Sequence, residues 1–111
     1  MSELKKYLID FLKILADPTR LEILELLRNG DKTSLKIQKT LNKSQSTISQ
    51  HLKLLINNNL IISEKKSNLN HYKIKNLDIF TLISSISDFA NEINKEKLKE
   101  LRDLDVIDTL S

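Results

Sequence analysis

Residues Ser44 to Leu60 read Ser-Gln-Ser-Thr-Ile-Ser-Gln-His-Leu-Lys-Leu-Leu-Ile-Asn-Asn-Asn-Leu, and their types differ sharply between two sides of a helix. On a helical period Ile48, Leu52 and Leu55 form one stripe, while Gln45, Ser46, Ser49, Gln50 and Lys53 fall on the opposite face. An ordinary solvated face carries mostly Lys and Glu. Here the outward positions hold Ser, Thr and Gln, which both donate and accept hydrogen bonds. That dual capacity suits the mixed donors and acceptors on major-groove base edges, where a Gln can pair bidentately with adenine. Gln45, Ser46, Ser49 and Gln50 are therefore the candidate base-reading residues. The competing reading is a surface helix that is merely rich in Ser and Gln.

A second set of side chains suits phosphate, which gives register and affinity but no sequence information. It comprises Lys36, Lys39, Lys43, Ser44, Thr47, Lys53, Lys65, Lys66, Asn68, Asn70 and His71; for each lysine the alternative is plain solubility. The formal net charge of +3 favours polyanions, because binding releases the counterions condensed on them. Such a charge permits nucleic-acid binding without demanding it. The chain has no cysteine, which excludes disulfides, thiolate metal sites and thiol redox switches. His51 and His71 fall in different elements without a metal-binding spacing. No Ser-His-Asp arrangement is supported by position, so neither metal, cofactor nor enzymatic activity is expected.

At 111 residues the chain is expected to form one domain, and 40% hydrophobic with 30% charged residues describes a globular protein. One Gly and one Pro leave few tight turns, which favours long helices over a β-sandwich or a glycine-cradled nucleotide site. No segment approaches the roughly 20 apolar residues that span a bilayer, and residues 1–8 contain no apolar run of signal length. The expectation is a cytoplasmic protein without membrane contact.

These candidates need elements to hold them. Leu4, Leu8, Phe11, Leu12 and Leu15 recur at helical intervals and predict a first helix over 3–15. Asp17 as N-cap and Pro18 at the first helical position open a second helix, Pro18 to Asn29, with Leu21, Leu24 and Leu27 inward and Gly30 as its stop. A third helix covers Ser34 to Leu41, with Leu35, Ile37 and Leu41 as apolar contacts. Asn42-Lys43 turn out of it and Ser44 caps the Gln45 to Asn57 helix, so two helices are joined by a turn of about three residues, the helix-turn-helix spacing. Leu60 to Lys66 and His71 to Lys75 read as two strands around a polar loop, Ser67-Asn68-Leu69-Asn70, forming a small wing.

The last helix runs from about Leu77 to at least Lys95, with apolar residues over more than half its circumference. A second copy of the chain would cover that excess. The expected homodimer interface comprises Leu4, Leu8, Phe11 and Leu12 of the first helix with Phe80, Ile83, Ile86, Phe89 and Ile93 of the last. Charge dominates from Asn94 onward, where Leu98, Leu101, Leu104, Ile107 and Leu110 either extend the helix or sit in a loose tail. The layout is thus 3–15 for a dimerisation helix, 17–75 for the DNA-binding core, 77–97 for a second dimerisation helix and 98–111 for a charged extension. The fold class is mostly α with a β-wing: a winged helix-turn-helix of about five helices and one two-stranded hairpin.

From about Ile14 to Ile74 the chain resembles the ArsR-type family of winged-helix transcriptional repressors. Two stretches carry the resemblance: Leu15-Ala16-Asp17-Pro18-Thr19-Arg20-Leu21-Glu22-Ile23-Leu24 and Ser44-Gln45-Ser46-Thr47-Ile48-Ser49-Gln50-His51-Leu52-Lys53. The resemblance implies a homodimer that reads an inverted repeat in double-stranded DNA, often in its own promoter. It also brings a contrast. One metal site of the family uses Cys-Val-Cys at the start of the third helix, where this chain has Thr33-Ser34-Leu35. Another uses Asp-x-His and His-x-x-Glu on the last helix, where it has Asn76-Leu77-Asp78 and Phe89-Ala90-Asn91-Glu92. Only Glu92 keeps a ligand type, which is too little for a tetrahedral zinc site. A small-molecule or protein effector is left unassigned. Two other classes stay open on the residues: a non-specific architectural DNA binder, and a protein-interaction module using the apolar last helix.

Overall fold

The structure is a computed structural model that describes residues 2–110, with side chains through 104. Helix α1 (Glu3–Leu15) starts at Ser2, whose hydroxyl accepts the Lys5 N–H at 3.1 Å. Helix α2 (Pro18–Leu27) starts at Asp17, whose carboxylate accepts the Arg20 N–H at 3.1 Å, with Pro18 where its missing N–H costs nothing. It ends earlier than its sequence pattern suggests, at Arg28, and Gly30 follows with φ +145°.

Strand β1 (Lys32–Thr33) comes next, and Thr33 then caps helix α3 (Ser34–Leu41) by accepting the Lys36 N–H. Asn42 takes the left-handed conformation at φ 54°, which Asn tolerates better than most residues, and Ser44 opens helix α4 (Gln45–Asn57). Asn59, also left-handed, leads into the hairpin of β2 (Ile61–Lys66) and β3 (Leu69–Ile74).

The wing differs from expectation in two ways. Its turn is only Ser67-Asn68, both at positive φ, the geometry of the two-residue hairpins whose twist matches their strands; Leu69 and Asn70 belong to β3, paired with Lys66 and Lys65. The sheet also has three strands in the order β1-β3-β2, with Lys32 opposite Tyr72 and Thr33 opposite His71. A two-residue strand has no periodicity of its own to reveal it.

The core takes Leu15 from α1, Ile23, Leu24 and Leu27 from α2, Ile37 from α3, Ile48, Leu52 and Leu55 from α4, and Leu60 and Ile61 from the start of the wing. Two residues expected inward are not: Leu21 and Leu35 lie exposed. Leu21 continues the apolar period of α2 and is left uncovered, whereas Leu35 falls on the face of α3 nearly opposite the buried Ile37.

Residues up to Leu77 form one compact unit and helix α5 (Asp78–Leu110) forms the other. The α5 backbone is helical through the expected extension, while the side chains of Ile107 and Leu110, and all of Ser111, lie outside the described residues. Ile79 and Phe80 in its first turn are buried; Leu82, Ile86, Phe89, Ile93, Leu98, Leu101 and Leu104 are exposed. No described helix is long and apolar enough to cross a membrane.

Candidate nucleic-acid interface

Helix α4 is fixed by its inner face and capped at its start. Ile48 and Leu55 are fully buried and Leu52 nearly so. The Ser44 hydroxyl accepts the Thr47 N–H at 3.2 Å and donates to the Thr47 hydroxyl at 3.0 Å. These two hydroxyls, expected at phosphate, thus already shape the helix start. With the inner face fixed, Gln45, Ser46, Ser49, Gln50 and Lys53 are all exposed. The three-residue turn from α3 brings in Lys43, and Lys36 and Lys39 stand exposed on α3 itself.

The wing presents Lys65, Lys66, Asn68 and Asn70 to solvent. Part of its charge is already paired. Lys66 Nζ donates to Asp31 Oδ2 at 2.7 Å, and His71 Nδ1 lies 3.6 Å from the same oxygen. Lys73 Nζ meets Glu64 Oε1 at 2.8 Å across the hairpin. The hydrogen bond from Lys66 holds the Asp31 carboxyl below the usual carboxylate range and pushes the Lys66 ammonium up. Lys73 does the same to Glu64. His71, expected beside phosphate, is half-buried next to Asp31 on the strand that carries β1.

Sequence reasoning gave Arg20 and Asp31 no role, yet each makes long-range contacts. Asp31 ties the loop after α2 to the wing. Arg20 contacts the last carbonyls of α1 and the ring of His51 on α4. No local pattern marks either contact. The presence of Arg20 in the Asp17-Pro18-Thr19-Arg20 stretch was the one available signal.

A helix-turn-helix packed on a small antiparallel sheet, with a hairpin beside it, defines the winged-helix class of DNA-binding domains. Residues 17–63 match the family described as "Bacterial regulatory protein, arsR family". The chain is 41% identical over 83 residues to the arsenical resistance operon repressor of Staphylococcus xylosus, covering 67% of this chain and 80% of that protein. It is 37% identical over 83 residues to the transcriptional repressor SdpR of Bacillus subtilis, covering 75% and 89%. The solution structure of the homodimeric winged helix-turn-helix DNA-binding domain Mb0332 from Mycobacterium bovis, a possible ArsR-family regulator, superposes with a TM-score of 0.71 at 25% identity, covering 83% of this chain and 89% of that one. This chain belongs to the ArsR family of bacterial regulatory proteins.

Proposed function

We propose that this protein is a homodimeric transcriptional repressor that binds an inverted repeat in double-stranded DNA, with one α4 helix in the major groove of each half-site. The observation that carries the reading is the outward face of α4: Gln45, Ser46, Ser49 and Gln50 stand exposed on a helix whose other face is fully seated. A Gln at such a position discriminates its base by about 1 to 3 kcal/mol. Lys36, Lys39, Lys43 and Lys53 around α4, with Lys65 and Asn68 at the wing, supply phosphate contacts that set register.

The dimer reading is supported by apolar side chains left in water on α1 (Leu4, Leu8 and Leu12) and α5 (Leu82, Ile86, Phe89 and Ile93). Burying each fully is worth roughly 1.5 to 3 kcal/mol, so a second copy gains much by covering them. Homodimerisation of the Mycobacterium bovis domain favours the same occupant. Control by a soft metal or metalloid through thiolates is not part of the proposal, because the chain has no cysteine. Its place of action is taken to be the cytoplasm, with the DNA.

The test measures binding to a duplex enriched from a random pool and to its scrambled counterpart at physiological salt, with stoichiometry by sedimentation. Two protomers on one repeat, bound at least about a thousandfold tighter than scramble, support the reading. Equal affinities would move it to an architectural DNA binder, and absence of DNA binding to a protein-interaction module.

A further inference from the structure

Arg20 joins three elements through one guanidinium. Its Nε donates to the carbonyl of Ile14 at 2.6 Å and its Nη2 to that of Lys13 at 3.2 Å, so a side chain of α2 satisfies the last turn of α1. Its Nη1 donates to His51 Nδ1 at 3.1 Å, on α4. The anchor is itself anchored: the Arg20 N–H donates to Asp17 Oδ1 at 3.1 Å, and Asp17 Oδ2 stands 3.9 Å from Nη1. The Arg20 side chain is only 13% exposed.

A guanidinium has donors in a rigid fork and no acceptor, so His51 must offer a lone pair at Nδ1 and carry its proton on Nε2. In the sequence of α4, His51 stands between Gln50, a candidate base reader, and Leu52, which is buried. The apolar contacts of Ile48, Leu52 and Leu55 hold α4 firmly against the core, but the hydrophobic term is non-directional and does not by itself set a bearing relative to α1. A hydrogen bond from a charged donor of fixed geometry supplies the missing direction.

The geometry points to Arg20, acting through His51, as a positioning residue that fixes the bearing of α4 relative to α1 and thereby the half-site spacing a dimer accepts. This rests on the reading of α4 as the base-reading helix and α1 as part of the dimer surface. Two reading helices in a dimer hold a fixed separation only as firmly as each is held to the surface that joins the protomers. Arg20 is the described side chain that binds the end of α1 and the middle of α4 at once.

The experiment places the half-sites enriched by the wild-type protein at a series of centre-to-centre spacings. Affinities are measured for wild type, His51→Leu and His51→Asn, with thermal melting as the control for folding. His51→Leu keeps the bulk and removes the acceptor. His51→Asn puts an amide oxygen where Nδ1 stands, while Arg20 keeps its bonds to α1 in both variants.

The wild type is expected to favour one spacing by about tenfold over its neighbours, roughly the size of one charge-assisted hydrogen bond. His51→Leu is expected to flatten that preference and His51→Asn to restore it, whatever their melting temperatures. A structural role alone would lower affinity equally at every spacing. An unchanged spacing profile in His51→Leu, or a profile that His51→Asn leaves flat, would overturn the proposal while the repressor reading stands. A wild type that selects no repeat would overturn both.

Discussion

Helix α4 and the wing both face solvent with polar side chains, yet they hold those groups differently. On α4 the outward Ser and Gln residues are exposed above a fully buried stripe, so the helix is rigid beneath and open above. In the wing Lys66, His71 and Lys73 turn toward Asp31 and Glu64, so part of its polar surface is already engaged within the protein. The difference separates two tasks. A surface that reads bases needs unengaged donors and acceptors on a firm support. A surface that touches phosphate tolerates charges that exchange one anionic partner for another.

The largest effect lies beneath α4. Ile48→Ala empties a fully buried site and is expected to cost about 2 to 5 kcal/mol in denaturant unfolding, whereas Leu69→Ala on the exposed wing stays within about 0.5 kcal/mol. Equal losses would erase the contrast in support between the two regions.

Next in size are the effects on DNA binding. Gln50→Ala is expected to relax discrimination at one base pair by about 1 to 3 kcal/mol while leaving other positions alone. Lys65→Gln is expected to weaken all duplexes alike and to reduce the salt slope of log K by about 0.9 for each phosphate no longer neutralised. Anisotropy titrations against a set of single-base operator variants at several salt concentrations read both. A uniform weakening with Gln50→Ala would place that residue among those that touch the DNA backbone.

The smallest effect sharpens the account of the wing. Asp31→Asn releases Lys66 and His71, and is expected to raise affinity for any duplex and steepen its salt dependence. The same pairing carries a pH signature. Lys66 depresses the Asp31 carboxyl, so its contribution is fully present above the ordinary carboxylate pKa. It is lost as pH falls through the lowered folded value. Acid titration of stability is therefore expected to show wild type losing ground to Asp31→Asn only in strongly acidic solution. Parallel curves across that range would show that the 2.7 Å pair contributes nothing.

What was legible in the sequence follows the same division. The caps at Asp17 and Ser44, the left-handed Asn42 and the buried stripe of α4 all act within a few residues, and each stands where the pattern put it. Strand β1, the Asp31 clamp and the Arg20 contact with His51 join segments far apart in the chain, and no local period encodes them. Leu21 shows the intermediate case. Periodicity fixes the direction in which a side chain points, but the rest of the fold decides whether anything covers it.

The central claim is that the Ser/Gln face of α4 reads sequence, and selection of bound duplexes from a random pool tests it most directly when wild type is run beside the double variant Gln45→Ala, Gln50→Ala. Wild type is expected to enrich an inverted repeat with half-sites about one helical turn apart, and the variant to lose the preference at the contacted bases while still retaining DNA through its lysines. Enrichment of the same repeat by both proteins, or of none by the wild type, would contradict the assignment of α4 as the reading helix.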